Sequence, residues 1–274
     1  MKKNTFKSIL HNFSLKSQKK VDFLVCGAQK SGTTSLDSYF RKHTDICLPK
    51  NVKELHFFDK DKVFTSLFPS LHYAQYHSFF QQQKNHKITG EITPSYMYWE
   101  PSAVRIWKYN PKIKLIFVLR NPIERAFSHW SYNKQLGIES LNFEDAIMQE
   151  ESRCRNSLPK QNMKWSYTQR GFYTNQIRRF QRLFPSEQMI IINYDDYIRT
   201  PENTLNDLTH FLDIKPFPYI KEIHKNKTIN KPEITQKEFL LLKKVFYYEI
   251  KNLEDLLQWD CPQWLETPLH IYNS

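Results

Sequence analysis

The chain has 274 residues, of which 40% are apolar and 25% charged, a balance that excludes a disordered chain and favours one folded domain over two. Lysine and arginine number 40 against 28 aspartate and glutamate, a formal charge of +12, so the surface attracts phosphate, sulfate, nucleic acid or acidic glycans. The four cysteines include no C-x-x-C pair, which argues against a zinc ribbon or a redox motif.

The first 20 residues are basic and weakly amphipathic. They contain neither a long apolar run nor a small-residue cleavage site, so we expect no signal peptide. The strongest apolar run, residues 115–119, is far shorter than the roughly 18 residues of a membrane span. We therefore predict a mobile tail over residues 1–20, a folded domain over 21–274, no transmembrane segment and a cytoplasmic location.

Apolar spacing and cap residues predict strands that alternate with helices along the chain. The predicted strands cover residues 21–26, 88–92, 114–119 and 189–192. The predicted helices cover residues 34–42, 67–80, 101–109, 122–135, 142–152, 173–183, 200–212 and 235–257. This alternation predicts an α/β fold of a single domain, with a mainly parallel sheet flanked by helices. Ligands of such sheets bind at the carboxyl ends of the strands.

A glycine-containing loop follows the first predicted strand. The chain has only five glycines, yet Gly27 and Gly32 both lie in the stretch GAQKSGTTS. Glycines allow backbone N–H groups to approach an anion, the following helix adds positive potential at its N-terminus, and Lys30 adds a full charge. A Walker A loop would carry lysine directly after the second glycine, where Thr33 stands here. The loop thus predicts an anion site unlike that of an ordinary NTPase; the alternative is a purely structural turn.

A second basic position closes the strand KLIFVL. Arg120 follows that strand, and Ser128 lies eight residues on, in the next predicted helix. Both are expected at the same crevice as the loop, and arginine offers paired donors to phosphate oxygens. The alternative is that Arg120 pairs with Glu124 or caps a helix. A Walker B strand would instead end in an acidic residue.

The stretch GAQKSGTTSL, residues 27–36, resembles the 5′-phosphosulfate loop of sulfotransferases that use 3′-phosphoadenosine 5′-phosphosulfate (PAPS). The resemblance implies a P-loop-like sulfotransferase fold without a metal, in which the lysine matching Lys30 neutralises the leaving phosphate. Arg120 and Ser128 are similar to the pair that grips the 3′-phosphate in that family, and Lys227 lies where relatives carry a K-G-R loop over the nucleotide. The nucleotide-binding residues so implied are Gln29, Lys30, Ser31, Gly32, Thr33, Thr34, Arg120, Ser128 and Lys227.

The segment KELHFFD, residues 53–59, resembles a K-E-x-H-F-F-D segment of heparan sulfate sulfotransferases and their bacterial relatives. This implies that Glu54 is the general base, with His56 as the alternative base. An extended segment would place the two side chains on the same side, and Phe57 and Phe58 could desolvate the carboxylate. The alternative is a solvated ion pair of Lys53 and Glu54 beside an aromatic core patch.

Two further segments resemble the same family. GEITPSY, residues 90–96, is similar to a G-E-K-[ST]-P-x-Y segment near the acceptor, with Ile92 in place of the lysine; the alternative is a turn packed by Tyr96. Arg170 and Gly171 belong to an R-G-x-Y stretch that we take as a fold marker.

The resemblance predicts an enzyme that moves a sulfuryl group from PAPS to a hydroxyl or amine, with a carbohydrate as the expected acceptor. The alternatives are a P-loop kinase and a non-enzymatic polyanion-binding protein. We expect no nucleic-acid partner, because RNP-like, helix-turn-helix and zinc-knuckle patterns are absent from the sequence. The ten histidines form no metal-ligand pattern, so no metal site is predicted.

Overall fold

A parallel β-sheet lies at the centre of the computed structural model, which describes residues 20–65, 69–218 and 233–266. Its strands are β1 (Phe23–Gly27), β2 (Ile46–Cys47), β3 (Ile88–Ile92), β4 (Lys114–Leu119) and β5 (Met189–Asn193). The strand order is β2-β3-β1-β4-β5, and every neighbouring pair is parallel. The predicted α/β fold with a mainly parallel sheet is confirmed.

Helices connect the strands and cover the sheet. They are α1 (Thr33–Phe40), α2 (Asp61–Phe64), α3 (Pro69–Ser78), α4 (Ser102–Tyr109), α5 (Pro122–Gln135), α6 (Phe143–Arg155), α7 (Tyr173–Gln181), α8 (Tyr194–Arg199), α9 (Pro201–Leu212) and α10 (Gln236–Leu257). Short 3₁₀ turns cover Gln169–Gly171, Ser186–Gln188 and Pro262–Trp264. Several helix starts follow from the sequence: Asn121 caps α5 ahead of a proline, Asn142 caps α6, and Thr235 with Glu238 forms a capping box on α10.

Alternating side chains of the strands bury both faces of the sheet. Phe23 and Val25 of β1 pack on one face with α1 and α9. Leu24 and Cys26 pack on the other face with residues of α4, α5, α7 and α10. Because both faces are covered, β1, β4 and β5 are mostly apolar rather than alternating in polarity, as in other parallel sheets, whereas β3 also buries Thr89 and Glu91.

The carboxyl ends of β1, β3 and β4 meet at one edge of the sheet. The N–H groups of Thr93 and Met97, which follow β3, donate to the carbonyls of Val25 and Cys26 at 3.0 and 2.8 Å, and Ala28 N–H donates to Val118 O at 2.8 Å. The three segments that leave these strands are therefore neighbours, although they lie far apart in the sequence.

The glycine of the R-G-x-Y stretch packs tightly, in agreement with its use as a fold marker. A Cβ atom on Gly171 would lie 2.8 Å from the ring of Phe246 on α10. This close approach requires glycine, because any side chain would push α10 away.

The structure departs from the predicted elements in a few places. The two-residue strand β2 and the short helices α2 and α8 were not predicted. Three predicted helices, over 34–42, 67–80 and 173–183, end two residues later than the observed ones, and the one over 142–152 ends three residues earlier. Within the described ranges no helix is both long and apolar enough to span a membrane. Residues 1–19 and Lys227 lie outside the described residues. The boundary predicted between a tail over residues 1–20 and a domain over 21–274 therefore stays a prediction. The cytoplasmic location stays a prediction as well.

Candidate active site

The loop after β1 has the geometry of an anion-binding turn. Lys30 and Gly32 adopt left-handed backbone conformations, with φ of 71° and 79°. A Cβ atom on Gly27 would lie 2.6 Å from Met97 Cβ, so the start of the loop tolerates no larger residue. Such backbone conformations turn successive N–H groups toward one side, where they bind oxyanions.

The helix that follows this loop begins without a side-chain cap within the described part of the chain. The first N–H groups of a helix lack intrahelical partners, and they attract an anion together with the helix dipole. Gln29 Oε1 is also buried with no hydrogen-bond partner among the described residues, and rotation of its amide would present the N–H₂ group to a ligand. These features fit an anionic phosphate or phosphosulfate group.

Arg120 and the loop pack against the same tyrosine ring. The Arg120 guanidinium stands over the ring of Tyr194, 5.1 Å from the ring centroid, and a Cβ on Gly32 would lie 2.9 Å from the same ring. Tyr173 links the two sites from the other side, because its phenol donates to Arg120 O at 2.9 Å and lies beside the Ser31 hydroxyl. The structure thus brings together the two predicted nucleotide contacts.

Arg120 also forms the ion pair considered as the alternative in the sequence analysis. Its Nε and Nη2 atoms donate to Glu124 Oε2 at 3.0 and 2.5 Å. The Glu124 side chain is 40% exposed and that of Arg120 is 15% exposed, so the carboxylate can turn toward solvent while the guanidinium stays. A phosphate that binds Arg120 would compete with Glu124 for these donors.

Tyr132 on helix α5 contacts the lysine of the loop. The Nζ atom of Lys30 lies 4.1 Å from the ring centroid of Tyr132. Ser128 precedes Tyr132 by four residues on the same helical face and is buried. Tyr132 therefore contacts Lys30 of the loop, and Ser128, one turn earlier on α5, stays a predicted 3′-phosphate contact.

The segment after β2 carries a chain of charged groups. Lys53 Nζ donates to Thr34 Oγ1 of the loop at 2.9 Å and to Glu54 Oε1 at 3.1 Å. His56 Nε2 lies 3.4 Å from Glu54 Oε2, and its Nδ1 atom lies 2.7 Å from Asp59 Oδ2. The loop after β1 and the two candidate bases thus belong to one network.

This network sets the charge state of both candidate bases. Hydrogen bonding to Asp59 and then to Glu54 raises the pKa of His56 from 6.5 to about 9, so the imidazole is protonated at neutral pH. Partial burial pushes the pKa of Glu54 upward, but hydrogen bonds from His56 and Lys53 outweigh it and leave that pKa below 4.5. Glu54 is therefore an anion and His56 a cation.

Two arguments made from the sequence about this segment are wrong. The segment is not extended, because His56 has a left-handed φ of 52°; Glu54 and His56 meet through this turn instead. Desolvation was expected to raise the pKa of Glu54, but hydrogen bonds from His56 and Lys53 outweigh it and the net shift is downward. Both rings are buried in an aromatic cluster, where Phe57 stacks on Tyr76 with centroids 4.3 Å apart.

The turn after β3 packs against the charged segment. Ser95 Oγ donates to Asp59 Oδ2 at 2.5 Å and lies 3.3 Å from His56 Nδ1. Ile92 is buried in the core on the α1 side of the sheet, so it offers no acceptor contact of the kind that a lysine would make there.

Sequence reasoning missed several side chains of the site. Tyr132 and Tyr194 were not predicted, because they lie in no motif and their contacts span long separations in sequence. Tyr173 belongs to the R-G-x-Y stretch but was read only as part of a fold marker. Asp59 and Ser95 lay within the quoted motifs, so a search for partners of His56 inside those motifs could have found them. Within the described ranges, no group of three or more metal-ligating side chains is placed to hold an ion.

The family of the chain follows from comparison with known proteins. The sequence model of the sulfotransferase domain matches residues 20–240, most of the chain. The chain belongs to the sulfotransferase domain family. The predicted family membership is thereby confirmed.

Curated relatives of this sulfotransferase domain include enzymes named for heparan sulfate. Human heparan sulfate glucosamine 3-O-sulfotransferase 3B1 is 28% identical over 217 residues, covering 78% of this chain and 52% of the relative. Mouse heparan sulfate glucosamine 3-O-sulfotransferase 5 is 28% identical over 193 residues, covering 70% and 53%. The chain spans about half the length of the curated relatives it matches.

A solved structure supports the same fold. The crystal structure of a sulfotransferase from Alicyclobacillus acidocaldarius is 26% identical, with a TM-score of 0.78 over 90% of this chain and 100% of that one. The predicted sulfotransferase fold is therefore confirmed across almost the whole chain.

Proposed function

We propose that this chain transfers a sulfuryl group from PAPS to a hydroxyl or amine of a carbohydrate acceptor. The observation that carries the proposal is the bridge made by Lys53, which contacts Thr34 in the anion-binding loop and Glu54 in the acceptor-side segment. The side chain of Lys53 thus connects the proposed donor site to Glu54, the proposed base. Membership of the sulfotransferase family argues against the kinase and polyanion-binding alternatives.

The residues around the loop fit the two charged ends of PAPS. The turn from Gln29 to Thr34 and the uncapped start of α1 would hold the 5′-phosphosulfate. Arg120 and Ser128 would hold the 3′-phosphate, with the guanidinium fork supplying paired donors. Lys227, outside the described residues, is kept as a further nucleotide contact from the sequence resemblance.

The proposed reaction is an in-line displacement at sulfur. The acceptor oxygen or nitrogen attacks sulfur and forms the new bond, while the bond from sulfur to the 5′-phosphate oxygen breaks. The acceptor proton passes to the Glu54 carboxylate, and adenosine 3′,5′-bisphosphate (PAP) leaves. Lys30 stabilises the negative charge that develops on the leaving phosphate.

We assign the base to Glu54 rather than to His56. A base must be deprotonated before it acts, and the pKa of His56 is raised to about 9 by Asp59 and Glu54. His56 instead orients the Glu54 carboxylate from 3.4 Å. The low pKa of Glu54 keeps it ionised at neutral pH, and the proton that it accepts can return to solvent from a side chain 35% exposed.

The nature of the acceptor is supported by the relatives and by the charge of the chain. The curated relatives are named for heparan sulfate glucosamine, an acidic glycan unit. A formal charge of +12 favours the approach of an acidic glycan to the crevice.

A transfer assay with labelled PAPS tests this function. The label should pass to one or more members of a panel of glycans and small alcohols, and Glu54→Gln should remove that transfer while PAP binding persists. Absence of transfer to every acceptor, combined with no binding of PAP, would refute the proposal.

A further inference from the structure

A buried carboxyl group lies directly behind the charged segment. Glu91, near the carboxyl end of β3, is completely buried, and its oxygens accept hydrogen bonds from three hydroxyls. Tyr96 donates to Oε1 at 2.7 Å, Tyr76 donates to Oε1 at 2.9 Å, and Thr93 donates to Oε2 at a longer 3.4 Å. Burial of a carboxyl is costly unless such donors satisfy it, so a core position that keeps one calls for an explanation.

Two of these hydroxyls also hold the backbone of the charged segment. Tyr96 Oη accepts a hydrogen bond from Phe57 N–H at 2.9 Å, and Thr93 Oγ1 lies 3.5 Å from His56 N. Each hydroxyl donates its proton to Glu91 and offers its lone pair to the segment. Burial raises the pKa of Glu91 to about 7, so above that pH its carboxylate only accepts and fixes the direction of both hydroxyls.

The segment needs such support because of its backbone. His56 adopts a left-handed φ of 52°, which is unfavourable for a residue with a side chain and persists only where its surroundings impose it. The N–H groups at 56 and 57 flank this turn, and the turn places the imidazole between the carboxylates of Glu54 and Asp59. A looser turn would move the imidazole away from Glu54.

We propose that Glu91, acting through Tyr96 and Thr93, is a positioning residue that fixes the turn at His56 and so aims Glu54 at the acceptor. This inference rests on the proposed sulfuryl transfer. It gives the GEITPSY segment a role behind the base, in place of direct acceptor contact.

Two tyrosines provide a matched test. Tyr96 and Tyr76 are both buried and donate to the same oxygen of Glu91, but only the Tyr96 hydroxyl accepts from Phe57 N–H among the contacts described. Tyr96→Phe should lower kcat by about tenfold to a hundredfold, the scale expected when a catalytic group shifts by an ångström, with KM for PAPS unchanged. Tyr76→Phe should change kcat by less than about threefold, although it loses a similar buried hydrogen bond.

Hydrogen exchange gives a second readout that does not depend on turnover. Amides in a peptide covering residues 55–59 should exchange faster in Tyr96→Phe than in Tyr76→Phe. Should Tyr96→Phe fail to fold, Thr93→Val, which keeps the size of the side chain, takes its place with the same expectations and a smaller effect.

The outcomes separate the two proposals. Equal kcat values and equal exchange in the Tyr96 and Tyr76 variants would overturn the positioning role. A wild-type protein that transfers no sulfuryl group from PAPS would overturn the proposed function, and the exchange rates alone would then decide whether Glu91 holds the turn.

Discussion

Lys53 Nζ donates a hydrogen bond to Thr34 Oγ1 at 2.9 Å, which ties the acceptor-side segment to the anion-binding loop. Thr34 is the second residue of α1, in the first turn where a bound phosphate would lie. Lys53 also contacts Glu54. The charge of one lysine thus acts on the base and on the donor site together.

The Lys53 contact predicts a change in the pH–rate profile. Because Lys53 lowers the pKa of Glu54, Lys53→Gln should raise that pKa and move the acid limb of kcat/KM to higher pH. The limb falls as pH drops, since a protonated carboxyl cannot act as base. Lys50→Gln, at an exposed site nearby, is the control. If the acid limb lies at the same pH in Lys53→Gln and wild type, Lys53 does not lower the pKa of Glu54.

The role of Glu54 as base predicts a selective loss of turnover. Glu54→Gln should lower kcat by about 10²- to 10⁴-fold, while PAP affinity changes by less than about twofold, because the base does not hold the nucleotide. Steady-state kinetics and calorimetry measure the two effects. Glu151→Gln, at an exposed position on α6, should match wild type. If Glu54→Gln keeps normal turnover, another group takes the proton.

The ion pairs of His56 predict a pH-dependent contribution to stability. The folded state raises the pKa of His56 from 6.5 to about 9, so the stabilisation is full below pH 6.5 and is lost as pH rises through 9. The loss of unfolding free energy in His56→Gln should therefore be larger at pH 6 than at pH 9.5. Denaturant unfolding at both values, with His210→Gln as an exposed control, measures it. A difference that grows with pH would show that His56 is neutral in the folded protein.

If Lys30 stabilises the leaving phosphate, its removal should slow the chemical step. Lys30→Ala should lower kcat with PAPS by about 10²- to 10³-fold, the scale for removing one group that stabilises a developing charge. Lys42→Ala, at an exposed position, is the matched control. Circular dichroism should show both variants folded. Turnover near the wild-type rate in Lys30→Ala would exclude Lys30 from charge stabilisation.

Much of the fold could be predicted because local signals were strong. The bounds of Ile88–Ile92, Lys114–Leu119 and Pro122–Gln135 agree with the predicted ranges, since apolar runs and a proline start mark them clearly. Ile46–Cys47 could not be predicted, because two residues carry no periodicity. Tyr194–Arg199 follows β5 without a loop, and its cap residue Asn193 is also the last residue of the strand, so the start of the helix was not separated from the strand.

The site was predictable only where its residues are contiguous in sequence. Lys30 and Arg120 stand in motifs at strand ends, and Arg120 and the loop that carries Lys30 pack against the same ring of Tyr194. The contact of Lys30 with Tyr132 depends on how α5 packs beside the loop, which no local pattern specifies. The turn at His56 was missed for a similar reason, because hydroxyls of a distant segment hold it.

Calorimetry with PAP and AMP is the sharpest test of a PAPS site in this protein, because the two ligands differ only in the 3′-phosphate. We expect PAP to bind at least about tenfold more tightly than AMP, the scale of one charge-assisted contact. Arg120→Gln should remove that preference, and Arg178→Gln, at an exposed site on α7, should keep it. If the wild-type protein binds PAP no more tightly than AMP, it has no 3′-phosphate site at Arg120 and is not built to bind PAPS.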